Sequence, residues 1–370
     1  MSSPLVVPAY ADRSLADVVP AVASALGATH GGPAGLVLPD ASSYVILLID
    51  GLGERLLQRY AHVAPFLSSL SGRPGTAGVP STTATSLTSL GTGLAPGQHG
   101  LVGYTARVPG TDQLLNHLLW DQEIDPEQWQ PHPTAFSELT RVGVAVSNVN
   151  KRHFDGSGLT VAGHRGATFI GADLVGERIA AVVAAAALAP ALVYTYEGDL
   201  DYTGHRHGVA SAEWLQQLAA IDSTTEQLRE ALPSSVRLLV VADHGMIDSP
   251  AERRIDVDTT PGLRDGVVLL GGEARFRHLY CRNGAVADVV ATWRERLGED
   301  ATVLTRDEAI GRGWFGRVEE NVVPRLGEVM VACHSDFTVV SSRDFPLEQR
   351  LIGFHGSLTE DEMRIPILLA

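Results

Sequence analysis

Cysteine is nearly absent from this chain of 370 residues, which contains only Cys281 and Cys333. Two thiols are too few for a disulfide framework, and they exclude a metal site built from several thiolates. One disulfide is possible from the count alone, but we expect both cysteines to be free, buried thiols.

Basic residues are scarce relative to acidic ones, because 28 Lys and Arg stand against 43 Asp and Glu, a formal net charge of −15. No Lys/Arg stripe is available to pair with phosphates, which argues against a nucleic-acid duplex or an anionic membrane as the main partner. Any anionic substrate must therefore be attracted by a local positive charge. Hydrophobic residues make up 45% of the chain, as is typical of a folded globular protein.

The sequence given predicts neither a secretory signal nor a membrane span. The N-terminal stretch MSSPLVVPAYADRSLADVV has no basic segment followed by a continuous apolar run, so it does not predict a secretory signal. The Ala-rich run IAAVVAAAALAPALVYTY is interrupted by Pro190 and predicts a buried helix followed by a strand, not a membrane span. We expect a cytoplasmic protein, provided that residue 1 is the native start.

Short apolar segments alternate with helical ones along the chain. The run SSYVILLID is followed by a glycine turn and a segment with helical spacing, and the same order returns around VGVAVSN, ALVYTYEGD and VRLLVVADHG. This alternation predicts an α/β fold with a mostly parallel central sheet between helices, built as one domain over residues 1–370. Two turn-rich stretches, at about 100–133 and 248–349, are expected to be insertions that cap the edge of the sheet.

Acidic residues and histidines follow the predicted strands. Asp50, Asp201 and the adjacent Asp243 and His244 stand at or just past the carboxyl ends of strands, where parallel α/β sheets bind their ligands. Ionic and imidazole groups are costly at the edge of a core unless they have partners, and a metal ion is one such partner.

The stretch GDLDYTGHRHG concentrates two acids and two histidines. Asp201 and His205 are four positions apart, a spacing that can direct both side chains to one point on a helical turn. Asp199 and His207 could serve instead, and a solvated, turn-rich loop would use the same residue types. His355, which follows the apolar run LIGF, would on its own be more typical of a structural histidine.

The stretch VPSTTATSLTSLGTG carries eight hydroxyl residues between Ser81 and Thr92. Ser and Thr are favoured where a helix begins because they satisfy free backbone N–H groups. The same geometry attracts an anion, so a phosphate could bind there and be attacked by a hydroxyl. A neutral hydroxyl is a poor nucleophile, and a metal ion would lower its pKa.

Five motifs, in the order ILLIDGLG, VPSTTATSLTSLGTG, DYTGH, VVADHGM and FHG, resemble the alkaline phosphatase superfamily, and specifically its nucleotide pyrophosphatase/phosphodiesterase branch. The resemblance runs from about residue 44 to the C-terminus. It implies an alkaline phosphatase-like fold and a metal-dependent hydrolase of phosphodiester or nucleotide pyrophosphate bonds. It further implies a small-molecule phosphate ester or nucleotide as substrate and a covalent phospho-threonine (nucleotidyl-threonine) intermediate at a two-metal site.

The resemblance assigns the nucleophile to Thr83, whose oxygen would also contact a metal ion. It assigns the ligands of two divalent ions to three aspartates and three histidines: Asp201, His205 and His355 for one ion, and Asp50, Asp243 and His244 for the second. Nitrogen and oxygen ligands without a thiolate suit Zn²⁺, and Mn²⁺ is an alternative. Three carboxylates and two divalent ions would leave a small net positive charge that attracts a phosphate.

Substrate-binding residues are less well defined. Three residues after the nucleophile the family commonly carries an Asn that donates to a phosphoryl oxygen, whereas this chain has Ser86, a shorter donor. No arginine lies beside Thr83, but three could approach from elsewhere: Arg107, Arg152 and Arg206. Three aromatic residues are candidates for stacking on a nucleobase or for simple packing: Tyr104, Trp120 and Tyr202. His99 is expected to be structural.

Several other functions remain open. Sulfatases require a C/S-x-P-x-R motif that TTATS lacks, whereas a threonine nucleophile fits both the diesterases and the phosphonoacetate hydrolases. A phosphomonoesterase, a phosphonoacetate hydrolase-like enzyme and a phosphomutase-type isomerase are therefore alternatives, and incubation in oxygen-18 water would separate a hydrolase from a mutase. A non-catalytic metal-binding protein is the remaining alternative, but it would have no chemical need for a nucleophile beside the metals.

Overall fold

A computed structural model of the chain describes residues 5–29 and 31–370. Its strands, numbered in chain order, are β1 Ser43–Ile49, β2 Ser71–Gly72, β3 Gly75–Thr76, β4 Thr105–Arg107, β5 Leu114–Asn116, β6 Ala145–Asn150, β7 Thr168–Gly171, β8 Ala191–Glu197, β9 Val236–Val241, β10 Ile247–Asp248, β11 Arg254–Asp256, β12 Val267–Glu273, β13 Phe276–Cys281, β14 Ala301–Thr305, β15 Val329–Cys333, β16 Thr338–Val340, β17 Gly353–Phe354, β18 Arg364–Ile365 and β19 Ile367–Leu369.

The α-helices are α1 Val18–Ala25, α2 Glu54–Arg59, α3 Pro65–Ser69, α4 Thr83–Thr92, α5 Pro96–His99, α6 Pro126–Trp129, α7 Ala135–Arg141, α8 Gly158–His164, α9 Val175–Ala186, α10 Asp199–His207, α11 Ala212–Ala231, α12 Val286–Leu297, α13 Arg306–Gly311 and α14 Glu360–Met363. Short 3₁₀ turns are formed by Leu15–Asp17, Arg152–Phe154, Ala251–Arg253, Gly298–Asp300, Val323–Arg325 and Pro346–Arg350.

The central sheet has seven strands in the order β2-β19-β9-β1-β8-β6-β7. The five strands from β9 to β7 are parallel, whereas β19 runs antiparallel to β9 and pairs antiparallel with β2. All seven residues of β1 are buried, as expected for a strand covered on both faces, and this explains its continuous apolar sequence. The predicted mostly parallel α/β sheet is confirmed.

Two groups of helices cover the sheet. Helix α9 packs on β1, β6 and β8 and against α11, while α1, α4, α7 and α8 form the second group. The Ala-rich run does form a helix followed by strand β8, but the expectation that the whole helix is buried was wrong. Helix α9 buries only Val182, Ala185 and Ala186, because it lies on the surface with one face toward the sheet.

The two turn-rich stretches contain β-strands that lie outside the central sheet. Residues 100–133 contain the β4-β5 hairpin, and the later stretch contains a four-stranded antiparallel sheet in the order β12-β13-β15-β14. We call the latter the cap sheet. Helix α12 packs on it through Val289 and Trp293 around a separate hydrophobic core. The two stretches contact each other, since the Thr105 hydroxyl donates to the Gly272 carbonyl over 3.0 Å.

Both cysteines are free thiols, as expected, although only Cys333 is fully buried and Cys281 is half-buried. Burial raises the pKa of each thiol to about 12, so neither is a reactive thiolate near neutral pH. Among the described residues, no helix combines the length and the apolar character that crossing a bilayer requires.

Candidate active site

The predicted site residues come together at the carboxyl edge of the central sheet. Strand β1 ends one residue before Asp50, and β9 ends two residues before Asp243. Helix α10, which follows β8, carries Asp201 and His205 one turn apart, and His355 follows β17 directly. Parallel strands thus bring residues that are distant in sequence to one edge, as the alternation of strands and helices predicts.

One half of the site contains Asp50, Asp243, His244 and Thr83, all of them buried. His244 Nε2 lies 3.4 Å from Asp50 Oδ1 and 3.3 Å from Asp243 Oδ2. The Thr83 hydroxyl lies 3.3 Å from Asp50 Oδ2 and 3.3 Å from His244 Nε2. The ligand atoms of the two aspartates and His244 all lie within 4.8 Å of one another, a separation that one metal ion could bridge.

The other half contains Asp201, His205 and His355. His205 Nε2 lies 3.3 Å from Asp201 Oδ2 and 3.2 Å from His355 Nε2, which is itself 3.8 Å from Asp201 Oδ1. The two halves are continuous, because the rings of His244 and His355 stack with centroids 3.8 Å apart. Ligand atoms of Asp201, His244 and His355 also fall within 4.8 Å of one another, so His244 lies between the two predicted ion sites.

The three histidines present the same atom to the site. Each has Nδ1 close to a backbone carbonyl: His205 at 2.8 Å from Gly353, His244 at 3.0 Å from Gly245 and His355 at 3.0 Å from Ser81. A proton on Nδ1 can be donated to each carbonyl, which leaves Nε2 as the atom that can bind a metal.

Each aspartate leaves one oxygen unused. Asp50 Oδ1, Asp201 Oδ1 and Asp243 Oδ2 are buried and have no hydrogen-bond partner within the described residues. Their companion oxygens are held: Asp243 Oδ1, for example, accepts from the Gly51 and His244 amides over 3.1 and 2.9 Å. Buried carboxylate oxygens without partners are rare because they are costly, and a cation would satisfy all three. The residues present therefore fit a divalent metal site.

Burial and neighbouring carboxylates shift the pKa values of the acids in the site. Burial, together with the neighbouring Asp243 and Asp201, raises the pKa of Asp50 well above its usual range. Burial likewise raises the pKa of Asp243 to about 7. Burial opposes a charge on His205, but the contact with Asp201 outweighs it and raises the pKa of His205 to about 9. Either a proton on His205 or a bound cation can thus compensate the negative charge of Asp201.

Thr83 is the first residue of helix α4, and the preceding Thr82 is extended and makes no side-chain cap. No capping hydroxyl therefore occupies the first backbone N–H groups of the helix. These groups lie at the helix N-terminus, which is the end that favours an anion. Further along the helix the hydroxyls have partners within the protein: Thr88 donates to the Ala84 carbonyl of its own helix over 2.8 Å, whereas Thr85 donates to the Leu101 carbonyl over 3.0 Å. The sequence predicted this helix start and its hydroxyl-rich first turn.

Ser86 does not face the cavity. It is completely buried, and its hydroxyl donates to the Asp243 carbonyl over 2.9 Å. It thereby fixes the backbone beside a predicted metal ligand. The predicted contact between Ser86 and a substrate stays a prediction. The hydrogen bond to Asp243 does not favour it, because the Ser86 hydroxyl is already engaged.

The alternative residues from the sequence lie elsewhere. Asp199 pairs with Lys151 over 2.8 Å on the surface, and His207 lies near Glu213, so neither joins the cluster. His99 is buried and lies 2.9 Å from the Ser89 hydroxyl, as expected of a structural histidine. Two of the three arginines are occupied by acids: Arg107 pairs with Asp112 and Arg152 with Asp173.

A cavity of about 1020 Å³ opens next to Thr83, Asp201 and His355. Arg206, Tyr104 and Tyr202 line it, so these three sequence candidates border the site. Trp120 is not among the lining residues; its indole N–H donates to the Ile124 carbonyl over 2.7 Å. Most of the wall comes from the β4-β5 hairpin, the cap sheet and the segment 343–351.

Two residues near the site were not found from the sequence. Tyr196, the penultimate residue of β8, donates its hydroxyl to Asp50 Oδ2. Glu273, the last residue of β12, lines the cavity beside Thr82 and Thr83. No local pattern encodes the register that aligns Tyr196 with Leu48 of β1. A weak signal is present, since Tyr196 places a hydroxyl near the end of a strand whose neighbour is followed by an aspartate.

Comparisons with known proteins agree with the fold and the motifs. The model of the family type I phosphodiesterase / nucleotide pyrophosphatase matches residues 44–358. Murine ectonucleotide pyrophosphatase/phosphodiesterase 5 superposes with a TM-score of 0.68 at 16% identity, covering 88% of this chain and 87% of that one.

Two further structures give a similar result. An inactive threonine-to-alanine variant of the murine protein, in complex with AMP, has a TM-score of 0.67 at 15% identity, and the human protein has 0.67 at 16%. Each covers 88% of this chain and 87% of its own. At these identities the likeness concerns the fold.

Proposed function

Because the chain belongs to the type I phosphodiesterase/nucleotide pyrophosphatase family of the alkaline phosphatase superfamily, we propose that it cleaves a phosphodiester through a covalent bond to Thr83. Members of this family are hydrolases of phosphodiester or pyrophosphate bonds, and that activity is the premise here. The observation that carries the finer proposal is the position of the Thr83 hydroxyl, 3.3 Å from both Asp50 and His244 at an uncapped helix start.

Two divalent ions, Zn²⁺ or alternatively Mn²⁺, would lower the pKa of the Thr83 hydroxyl and stabilise the charge on the phosphoryl oxygens when bound. Asp50, Asp243 and His244 would hold one ion, and the second would be held by three residues across the site: Asp201, His205 and His355. The three unpartnered carboxylate oxygens and the orientation of the Nε2 atoms support this division.

The proposed reaction has two steps. In the first, Thr83 Oγ1 forms a bond to phosphorus while the bond between phosphorus and the leaving oxygen breaks; the hydroxyl proton passes to Asp50 Oδ2 and then, through solvent, to the leaving oxygen, which departs as the alcohol. In the second, a water oxygen bonds to phosphorus, the bond to Oγ1 breaks, and Thr83 recovers a proton as the monoester leaves. The N-terminal amides of α4 stabilise the phosphoryl oxygens in both steps. The inactivity of a threonine variant of the murine relative supports a threonine in this role.

The cavity favours one class of substrate within the family. Its lining includes five acids against two arginines, Arg206 and Arg343, and Arg343 pairs with Asp344 over 3.1 Å. Apolar side chains such as Leu114, Leu270 and Leu351 form much of the remaining wall. The wall therefore offers few positive charges to bind additional phosphates, so a diester with a single negative charge and an apolar leaving group fits better than a nucleoside polyphosphate.

The test compares Thr83→Ala with the wild type, both loaded with Zn²⁺ or Mn²⁺. Bis-p-nitrophenyl phosphate should be hydrolysed by the wild type faster than ATP or p-nitrophenyl phosphate, and Thr83→Ala should lose at least about 1,000-fold in kcat. Elemental analysis should find two ions per chain in both proteins. Thr88→Ala, which removes a hydroxyl bound only to its own helix, is the matched control and should stay active. Undiminished turnover by Thr83→Ala would exclude the covalent step.

A further inference from the structure

Glu273 is a buried acid on the cavity wall that the proposed reaction does not use. It ends strand β12 of the cap sheet, immediately before the turn into β13. Only 8% of the residue is exposed, and it lines the cavity together with Thr82 and Thr83. The cap sheet therefore places a carboxyl group beside the predicted nucleophile.

One glycine makes room for this side chain, and a second lies beside it. A Cβ atom added to Gly356, the residue after His355, would lie 2.6 Å from Glu273 Cγ. A Cβ atom added to Gly103, the residue before Tyr104, would lie 3.7 Å from Glu273 Oε1. The carboxyl group thus packs against bare backbone on both sides, and a Cβ at position 356 would displace it.

Neither carboxyl oxygen of Glu273 has a hydrogen-bond partner within the described part of the chain. The Thr82 hydroxyl and the Tyr104 amide approach the carboxyl without reaching hydrogen-bond geometry. Arg277 of β13 pairs with Glu348 and donates to the Val339 carbonyl, and its charge acts on Glu273 without forming an ion pair with it. Burial raises the pKa of Glu273 to about 8, which favours a proton on this carboxyl group.

A second buried acid nearby shows how a structural carboxylate is held in the same region. Glu362 forms two contacts of 2.7 Å with Arg275 and accepts hydrogen bonds from the Ser357 amide and the Thr359 hydroxyl. Its negative charge is fully compensated. Glu273 has none of these compensations, and a buried polar group without partners is costly unless a ligand supplies them.

A phosphate ester is a ligand that would complete this site. Non-bridging phosphoryl oxygens only accept hydrogen bonds, so a neutral carboxylic acid is a suitable donor and an ionised one would repel them. Ser86, the donor that the sequence suggested, is engaged with the Asp243 carbonyl. We propose that Glu273 donates a hydrogen bond to a non-bridging oxygen of the phosphate ester and holds the phosphoryl group against Thr83. This inference rests on the proposed function, because it requires a phosphate ester in the cavity.

Kinetics of two variants test the donor role. Glu273→Ala removes the donor and should lower kcat/KM for bis-p-nitrophenyl phosphate about 100-fold, the effect expected for one lost donor to a phosphoryl oxygen. Glu273→Gln keeps an N–H donor of similar reach and should stay within about tenfold of the wild type. The control is Glu295→Gln, an exposed acid on α12, which should leave kcat/KM unchanged. Full activity of Glu273→Ala, or equal losses for Ala and Gln, would overturn the proposal.

A binding measurement separates this role from a structural one and from the covalent step. In the Thr83→Ala background with Zn²⁺, the affinity for inorganic phosphate is measured by calorimetry, which does not require turnover. Adding Glu273→Ala should weaken binding at least about tenfold, whereas adding Glu273→Gln should not. The melting temperature of Glu273→Ala should not fall, since the variant removes an unpartnered buried acid. Unchanged phosphate affinity with a lower melting temperature would assign Glu273 to the fold and refute the proposal.

If the Thr83→Ala enzyme kept its activity, the covalent mechanism would be excluded. The phosphate affinity would still show whether Glu273 binds the phosphoryl group. The two proposals can therefore fail independently.

Discussion

Each predicted metal-binding aspartate divides its two oxygens between the protein and the site. In Asp243, Oδ1 accepts two backbone amides while Oδ2 is free, and in Asp50, Oδ2 receives Thr83 and Tyr196 while Oδ1 is free. A carboxylate held by one oxygen cannot rotate away from an ion bound by the other. Residues that hold the first oxygen should therefore affect metal affinity without touching the metal.

Tyr196→Phe tests this at the scale of one residue. It removes the hydroxyl that orients Asp50, and we expect the affinity for Zn²⁺ to fall about 10- to 100-fold, as for other groups that orient a metal ligand. Competition with a chelator measures the change. Tyr194→Phe is the matched control, because Tyr194 is a buried tyrosine of the same strand whose hydroxyl has no partner among the described residues. Equal losses in the two variants would contradict the orienting role of Tyr196.

At the scale of elements, the sequence predicted the strands that carry the site but not the cap sheet. Strands β1, β8 and β9 are mostly apolar runs with an acid just beyond them, so local pattern and motif order both identify them. Strand β13 reads FRHLYC, and its Arg277 and His278 are fully buried, which hides the apolar pattern of a core strand. Its pairing with β15 joins residues more than fifty positions apart, and no local signal encodes that. Glu273 was missed for the same reason.

The buried ion pair between Arg275 and Glu362 connects the cap sheet to helix α14, and it gives a prediction at this scale. Both side chains are completely buried, so Arg275→Ala would leave Glu362 as an uncompensated buried charge. We expect a loss of roughly 3–5 kcal/mol in the free energy of unfolding, measured with urea. Arg294→Ala breaks a half-exposed pair with Glu308 in the same cap and should cost at most about 1 kcal/mol. Similar losses for both variants would show that the buried pair does not join the two elements.

At the scale of the whole molecule, buried histidines hold the segment before Tyr104 between the cap sheet and the central domain. His278 lies 2.8 Å from the Val102 carbonyl through Nε2 and accepts the Gly327 amide at Nδ1 over 3.1 Å. His117 contacts the Gly103 carbonyl over 2.7 Å. Burial lowers the pKa of both histidines to about 4, and that of His99 to about 3. Acid should therefore loosen the cap before it disrupts the apolar core.

The sign follows from the pKa of His278, which is about 6.5 when unfolded and about 4 when folded. Its contribution to stability is complete above pH 6.5 and is lost as the pH falls toward 4, because the unfolded chain then binds a proton that the folded chain refuses. Raised pKa values at Asp50, Asp243 and Glu273 act in the opposite direction, so the wild-type pH profile alone does not isolate the histidine. The comparison must be made with a variant in which those acids are unchanged.

His278→Gln provides that comparison. Between pH 6.5 and 4 the wild type should lose roughly 3 kcal/mol more unfolding free energy than His278→Gln, since one pKa unit corresponds to about 1.4 kcal/mol. Urea unfolding at several pH values, with the same metal content in both proteins, measures the difference. The exposed His62 serves as the control, and His62→Gln should follow the wild-type profile. If the unfolding free energies of the wild type and His278→Gln changed with pH in parallel, His278 would accept a proton in the folded protein. The hydrogen bond from Gly327 would then not fix its tautomer.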